Sequence, residues 1–221
     1  KILIKDMNIS KLFDDLISYL IIGIIVGGRL GYVLFYNPKY YLNNLIEIPM
    51  IWLGGMSFHG GLIGILIATI FFSKKNNLDK YIFLDLIAAS APIGIFLGRI
   101  SNFINSELYG KKTEVFWSVV FVKVDSISRH PSQLYEALFE GMILFFVMFL
   151  FVKKNYLLKH GLISSLFLIF YSFFRFFIEF YRVPDEQLGF ILLNLTMGQI
   201  VSLIFFFLGL YLFFAKKNEN K

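Results

Sequence analysis

The chain has 221 residues, of which 57% are hydrophobic and only 16% are charged, and its mean hydropathy is +0.71. Soluble domains carry roughly 25% charged residues, so this composition excludes an ordinary soluble domain and indicates a membrane protein. The net charge is +6 and there is no cysteine, which excludes disulfides, thiolate metal sites and a nucleophilic thiol of the chain's own.

Six apolar stretches approach or exceed the ~20 residues that a helix needs to cross a bilayer. They predict an all-α fold, a polytopic helical membrane protein with six transmembrane helices in a single domain over residues 1–221. The predicted helices cover residues 16–36, 54–73, 81–97, 134–152, 161–181 and 195–215.

Basic residues are unevenly distributed between the loops. Three lysines lie in each of four alternate segments, the N-terminus, the second loop, the fourth loop and the C-terminal tail, while the three loops between them hold seven Lys and Arg. By the positive-inside rule, both termini are predicted to be cytoplasmic. The net charge is then explained without a nucleic-acid partner. A small extracytoplasmic segment is predicted around residues 110–130.

Polar residues within the predicted helices share one depth. Arg29, His59 and Arg175 lie five to seven residues from the outer ends of their helices, about 7–10 Å inside a ~30 Å core. Asp85 lies toward the inner face, whereas the outer halves also contain Glu136, Glu140, Glu179 and Gln199. Because charges in a bilayer usually face a wet cavity, one outward-facing polar cavity is predicted. The alternative is that these side chains snorkel to the interface.

The stretch "GRISNFINSELYG" follows the third predicted helix and ends at Gly110. Arg99 carries a planar, permanently charged fork suited to phosphate or carboxylate. Asn102 and Asn105 share one face of a helical turn, and Glu107 is suited to orienting the arginine or a hydroxyl. The glycine allows a tight turn or a close backbone approach. A polar loop that merely caps a helix is the alternative interpretation.

The stretch "SRHPSQLYEALFEG" predicts a helix start, because Pro131 suits a first turn. Arg129 and His130 stand just before it. One helix face then carries Gln133, Glu136 and Glu140. A polar site and a capped helix start with satisfied polar residues both fit this pattern.

In "YSFFRFFIEFYRVPDEQLG", Arg175 and Glu179 form an i, i+4 pair within an aromatic helix. The carboxylate would hold the guanidinium for a ligand, or the pair is purely structural.

In "GGMSFHGGLIG", glycine pairs that favour close helix packing flank His59, which is either catalytic, substrate-positioning or a packing residue. For Arg29, in "GGRLGYVLFYN", structural support is favoured.

The sequence contains no zinc motif, P-loop, dinucleotide fingerprint or serine–histidine–acid signature, so neither a metal nor a cofactor is predicted. Together the motifs resemble the bacterial phosphatidylglycerol–prolipoprotein diacylglyceryl transferases. The resemblance rests on the pattern G-R-x-x-N-F-x-N-x-E-x-x-G, on "GGMSFHGG", "RHPSQLYE" and "DLIAASAPIG" with Asp85, and on Y-x-x-x-R-x-x-x-E at Tyr171, Arg175 and Glu179.

The resemblance implies an enzyme of the bacterial inner membrane, with its active site on the extracytoplasmic side. Its partners would be phosphatidylglycerol, the lipobox peptides of prolipoproteins and the bilayer. It would transfer a diacylglyceryl group from the lipid to the lipobox cysteine and release glycerol phosphate. The catalytic residues implied are His59, Arg99, Tyr171, Arg175 and Glu179. The substrate-binding residues implied are Arg99, Asn102, Asn105, Glu107, Gly110, Arg129, His130 and Gln133.

The chain departs from the family pattern in two respects. Family members have seven membrane helices and six are predicted here, so a first helix is expected to precede Lys1. The segment between Gly110 and Arg129 is short, so the extracytoplasmic part is expected to be a hairpin around "VFWSVVFVKV".

Two other functions use the same polar residues. A transporter or flippase for an anionic lipid would bind the lipid with these arginines without reacting. Such proteins usually have inverted repeats and a site near the midplane. This sequence has no evident inverted repeat, and its polar residues lie on one side of the membrane. A metal-dependent phosphotransferase would need an acidic cluster, and Asp85 is separated along the chain from the other carboxylates.

Overall fold

The computed structural model describes residues 9–184, 190–192 and 194–219. Within them the α-helices are α1 Ile9–Phe35, α2 Pro38–Asn43, α3 Phe58–Lys75, α4 Lys80–Asn105, α5 Ser132–Glu136, α6 Leu144–Lys153, α7 Leu162–Ile178 and α8 Met197–Glu219. A π-helical segment, Ala137–Ile143, joins α5 to α6. Short 3₁₀ turns cover Leu45–Glu47, Ile51–Leu53, Tyr156–Leu158 and Glu179–Tyr181.

Two small antiparallel hairpins interrupt the otherwise helical chain. Strand β1 (Val119–Val120) pairs with β2 (Ser128–Arg129), with Val119 opposite Arg129. Strand β3 (Phe190–Leu192) pairs with β4 (Leu195–Thr196). The chain divides into two compact units, one running to Leu84 and the other beginning at Asp85. The single domain over residues 1–221 stays a prediction.

Five helices of the described chain are long and apolar enough to cross a membrane, which confirms a helical membrane protein. They are Asp14–Phe35, Lys80–Asn105, Ser132–Lys153, Leu162–Tyr181 and Met197–Glu219. The second of the six predicted spans corresponds to α3, a helix of 18 residues. Whether α3 crosses the bilayer stays a prediction.

Two predicted helix boundaries are wrong for local reasons. Helix α3 begins at Phe58 rather than at residue 54, because Gly54 and Gly55 adopt φ of 81° and 79° and the Ser57 hydroxyl accepts from the Gly60 N–H. Helix α4 continues past residue 97 to Asn105. The first part of the "GRISNFINSELYG" motif, up to Asn105, is therefore helical, and its polar side chains do not end the helix.

In the first unit, α1 and α3 pack through glycines. A Cβ on Gly31 would lie 2.7 Å from the Cα of Gly60, and a Cβ on Gly27 would lie 2.8 Å from the Cα of Gly64. These distances are too short for any side chain, so the two helix backbones touch along this stripe. The pattern of small residues in the sequence predicted this close packing.

In the second unit, α7 begins where a buried aspartate caps it. The Asp85 carboxylate is 1% exposed and accepts hydrogen bonds from the N–H groups of Gly161 and Ser164, both at 2.7 Å, and from the Ser164 hydroxyl. The first N–H groups of a helix have no acceptor within the helix. The Asp85 carboxylate, which lies on α4, is the acceptor for two of these N–H groups of α7. Asp85 thus determines where α7 starts.

Helix α8 begins with a capping box. The Thr196 N–H donates to Gln199 Oε1 at 3.1 Å, and the Gln199 N–H donates to the Thr196 hydroxyl at 3.3 Å. This reciprocal arrangement satisfies two backbone donors at once and explains why α8 begins at Met197. Gly209 then lets α8 approach α7, since a Cβ there would lie 2.9 Å from Ile169 Cγ1.

Replacing the capping carboxylate, Asp85→Ala, should lower the free energy of unfolding by about 1–3 kcal/mol, because the N–H groups of Gly161 and Ser164 lose their acceptor in a buried place. Thermal unfolding of the purified protein in detergent measures the change. Asp15→Ala is the matched control, because Asp15 is exposed on α1. Equal melting temperatures for the two variants would contradict the capping role.

Candidate active site

Buried carboxylates and arginines meet in the second unit. Glu136 and Glu140 are fully buried, and Glu179 is 6% exposed. The arginines come from other helices, Arg99 from α4 and Arg175 from α7, and both keep a small exposed fraction. We call these five residues the arginine–carboxylate cluster.

Glu136 holds the two arginines together. Its Oε2 lies 3.1 Å from Nε of Arg99, and its Oε1 accepts a hydrogen bond from Nη1 of Arg175. Nη1 of Arg182 lies 3.6 Å from the same Oε1. One carboxylate therefore contacts guanidinium groups from three parts of the chain.

Glu140 and Glu179 complete the cluster. The carboxylate of Glu140 lies 3.5 Å from Nη2 of Arg99 and 3.6 Å from Nη1 of Arg175. Glu179 lies 2.8 Å from Nη2 of Arg175, which is the i, i+4 pair expected from the sequence. The Thr196 hydroxyl donates to Glu179 at 3.0 Å and so links the cluster to the start of α8. Arg175 contacts all three carboxylates.

The π-helical segment and one glycine explain how α4 reaches these carboxylates. A Cβ on Gly141 would lie 2.7 Å from Cβ of Phe96, so the two helix backbones approach closely at this level. Arg99 stands three residues after Phe96, about one helical turn further along α4, and thus comes within reach of Glu136 and Glu140. A π-helical turn inside a long helix is often found at functional sites.

The arginines are the accessible part of the cluster. The side chains of Arg99 and Arg175 are 16% and 12% exposed, whereas those of Glu136 and Glu140 are fully buried. A guanidinium has five N–H donors, and the ion pairs above use only some of them. The remaining donors can bind a phosphate, and the carboxylates fix the direction in which they point.

Tyr171 lies on α7 about one turn before Arg175, and its ring stacks on Phe167 with centroids 5.6 Å apart. Its position on the helix brings it toward the level of the cluster. The neighbouring Ser172 hydroxyl is buried and has no hydrogen-bond partner among the described residues.

The end of the "GRISNFINSELYG" motif is a loop held by the next helix. Ser106 and Leu108 adopt left-handed φ of 62° and 54°. The amide of Gln133 donates to the Glu107 carbonyl at 2.6 Å, and the Ser132 hydroxyl donates to the Leu108 carbonyl at 3.1 Å. Gln133 is fully buried, so the structure gives it a role in holding this loop, and its predicted substrate contact stays a prediction.

Gly110 closes the loop by close backbone contact. Its N–H donates to the His130 carbonyl at 3.0 Å, and a Cβ on it would lie 2.7 Å from Cβ of His130. Only glycine fits this position. Of the two roles that the sequence allowed for this residue, the structure shows the close approach.

Arg129 and His130 form a separate group from the cluster. Arg129 pairs with Asp125 at 2.5 Å, and this hydrogen bond lowers the pKa of the Asp125 carboxyl. The His130 Nδ1 lies 3.1 Å from the Tyr135 hydroxyl, and desolvation lowers the pKa of its imidazole from the ordinary value. The neutral imidazole is therefore favoured, and neither residue is paired with the cluster carboxylates in the described contacts.

Asn102, Asn105 and Glu107 lie at the end of α4 and just beyond it, and their side chains are partly or fully exposed. In the part of the chain that the structure describes, these side chains make no hydrogen bond to protein groups. Their donors and acceptors are thus available to a substrate. Their predicted contact with it stays a prediction.

Arg29, in the first unit, is enclosed by backbone. It is 3% exposed, and its guanidinium donates to the carbonyls of Glu47, Ile48, Gly54 and Gly55 at 2.5–3.2 Å. This geometry agrees with structural support. The backbone of His59 lies in the first turn of α3, but its side chain is outside the described part, so its role stays a prediction.

The sequence placed Glu136 and Glu140 in the predicted polar cavity and on one helix face but did not pair them with the arginines, and it gave no role to Arg182. Their helical spacing was visible, but the partner helix was not. Among the described residues there is no group of three or more side chains that could hold a metal ion.

Apolar spans surrounding a buried arginine–carboxylate cluster define a helical membrane protein whose site presents guanidinium donors. A family model for prolipoprotein diacylglyceryl transferase matches residues 2–215, and the chain therefore belongs to that family. It is a membrane transferase, as the resemblance of its motifs predicted.

Similar proteins carry the same description. The phosphatidylglycerol–prolipoprotein diacylglyceryl transferase of Rickettsia bellii (strain OSU 85-389) is 53% identical over 92% of this chain and 78% of its own length. The corresponding enzyme of Rickettsia akari (strain Hartford) is 53% identical over 92% and 79%. That of Wolbachia pipientis wMel is 49% identical over 95% and 80%.

Gly110→Ala should abolish most of the activity, because the new methyl group would meet the His130 backbone and displace the loop that begins at Ser106. Gly94→Ala is the control, since a Cβ on Gly94 meets nothing within 4 Å and helix interiors favour alanine by about 0.5–1 kcal/mol. Lipid-transfer rates of the two variants are compared at equal protein. Full activity of Gly110→Ala would show that the close approach is dispensable.

Proposed function

We propose that this protein transfers the sn-1,2-diacylglyceryl group from phosphatidylglycerol to the lipobox cysteine thiol of prolipoproteins, which is the first step of bacterial lipoprotein maturation. The observation that carries the proposal is the meeting of Arg99 and Arg175 at the carboxylate of Glu136. Two guanidinium groups at one place match a lipid phosphate. The names of the relatives point to the same substrates.

In the proposed reaction, the thiol loses its proton and the thiolate sulfur bonds to the terminal glyceryl carbon of the lipid. The bond between that carbon and a phosphate oxygen breaks, and its electron pair leaves with glycerol phosphate. Negative charge grows on the phosphate as the bond breaks. Arginines aimed at this oxygen stabilise the transition state more than the ground state.

The nucleophile belongs to the substrate, so the absence of cysteine from the chain is consistent with the reaction. A free thiol has a pKa near 8.5, and a base or a positive environment promotes its ionisation. His59 is the proposed base or positioning residue. Tyr171 and Glu179 are also proposed to be catalytic. Tyr171 lies one turn before Arg175 on α7, and Glu179 follows directly after the end of this helix.

The carboxylates have a defined part in this scheme. Glu136, Glu140 and Glu179 hold the guanidinium planes, so the arginines lose little side-chain freedom when the phosphate binds. Substrate-binding roles are proposed for the exposed side chains of Asn102, Asn105 and Glu107. Substrate-binding roles are also proposed for Gly110, Arg129, His130 and Gln133, and the contacts of Gly110 and Gln133 in addition hold the loop beside the site.

We further propose that the protein spans the bacterial inner membrane several times, with six helices in this chain including α3, both termini cytoplasmic and the site extracytoplasmic. Lysines in the last turns of α3, α6 and α8 support this orientation, since each of these helices would end at the cytoplasmic face. The segment around residues 110–130 would then be the extracytoplasmic part.

The reaction is tested by mass spectrometry on the full-length protein in lipid discs with phosphatidylglycerol and a lipobox peptide. The peptide should gain the mass of one diacylglyceryl group on its cysteine. Arg99→Ala should slow this gain by about 10²–10³-fold, because one donor to the leaving phosphate is lost. Lys112→Ala is the control, since Lys112 is exposed outside the cluster.

If the wild-type protein binds the lipid but transfers nothing to the peptide, the transferase function is wrong. An anionic-lipid transporter or flippase would then be the better interpretation. Movement of labelled phosphatidylglycerol between leaflets, again sensitive to Arg99→Ala, would support it.

The proposed role of His59 predicts a change in pH dependence. A histidine that acts as general base makes kcat fall as pH decreases, because the protonated imidazole cannot accept a proton. His59→Gln should lower kcat and remove this acidic limb. Near-normal turnover of His59→Gln at every pH would eliminate histidine as the base.

A further inference from the structure

Two turns between α4 and α5 present apolar side chains outward. In the first turn, the Ser118 N–H donates to the Val115 carbonyl at 2.9 Å, and the two central residues are Phe116 and Trp117. Phe116 is 94% exposed and Trp117 is 48% exposed. Turn centres usually carry Gly, Pro, Asn, Asp or Ser, so two large aromatic residues at this place require an explanation.

The second turn repeats this arrangement a few residues later. The Val124 N–H donates to the Phe121 carbonyl at 2.7 Å, and the intervening Val122 is 87% exposed beside exposed Lys123. Phe121 is buried and packs against the rings of Phe103 and Tyr109, with centroids 5.8 Å and 6.0 Å away. Phe121 therefore fixes the segment to the protein while its neighbours point outward.

The first turn lies at the level where a span begins. The Trp117 indole N–H donates to the Tyr135 hydroxyl at 2.6 Å. Tyr135 is three residues into the span Ser132–Lys153, which is about 4.5 Å along its axis. Trp and Tyr are enriched where membrane helices meet the headgroup region, because their rings are apolar and their tips are polar. The exposed turn is thus joined to the first turn of the span.

The charge of the segment also suits a lipid surface. Its exposed charged residues are Lys112, Lys123 and Glu114, which leaves one positive charge in excess, while Asp125 is paired with Arg129. Lysines near the membrane are attracted to anionic headgroups, and their long side chains can lie along apolar surface while the ammonium group stays in water.

We infer that the two turns insert into the headgroup region of the bilayer, with Phe116, Trp117 and Val122 in contact with lipid. The partner is the lipid surface itself, not a peptide. This contact is separate from the chemistry of the arginine–carboxylate cluster. It holds the segment that follows the "GRISNFINSELYG" motif at the membrane surface.

The experiment uses intrinsic fluorescence. The chain has two tryptophans, so Trp52→Phe leaves Trp117 as the single reporter. The full-length protein is reconstituted in phosphatidylcholine–phosphatidylglycerol vesicles whose acyl chains are brominated close to the headgroup. We expect blue-shifted Trp117 emission, strong quenching by the brominated lipid, weaker quenching when bromine is at the chain ends, and little quenching by aqueous iodide.

A second variant keeps the test independent of folding. In the Trp52→Phe background, Phe116→Asn with Val122→Asn changes only exposed side chains and introduces a residue that turns favour. Quenching by the brominated lipid should fall and quenching by iodide should rise, while the melting temperature stays constant. Neither measurement requires catalysis, so its outcome is independent of the transferase proposal.

Two results would overturn the inference. One is iodide-accessible Trp117 that brominated lipid does not quench. The other is protection of Trp117 from iodide only after a lipobox peptide is added, which would make the turns a peptide-docking surface instead.

Discussion

Two guanidinium groups from different helices meet at one buried carboxylate, that of Glu136. Charges inside a membrane protein are costly unless they are paired, and here Arg99 and Arg175 are paired with a carboxylate of another helix that is distant in sequence. This contact therefore constrains α4, the helix that begins at Ser132 and α7 at once. An arginine so held is neutralised by the protein and has its guanidinium fixed in direction.

Other features of the second unit serve this constraint. Gly141 lets α4 come close enough for Arg99 to reach the carboxylates. Asp85 sets the start of α7 and hence the level at which Arg175 stands. The capping box of α8 places the Thr196 hydroxyl on Glu179. In this protein, the side chains that provide hydrogen-bond partners for helix ends therefore also position the charged residues of the cluster.

The loop after α4 shows how much of the site depends on backbone contacts. Side chains of Ser132 and Gln133 bind its carbonyls, and Gly110 touches the backbone of His130. These residues were expected from the resemblance to contact substrate or were not singled out at all. A sequence motif records that a residue is required, but not whether it acts on the ligand or on the chain.

The sequence by itself determined the class of the protein, most of the apolar spans, the presence of glycine stretches suited to close helix packing and the Arg175–Glu179 pair, because these depend on composition and on neighbours within a helical turn. Its motifs also determined the family. Only the tertiary structure decided that Glu136 and Glu140 face Arg99, that α4 continues to Asn105 and that Asp85 caps α7. The contacts of Glu136, Glu140 and Asp85 join residues distant in sequence, and those of Glu140 rest on a π-helical turn that residue spacing does not reveal.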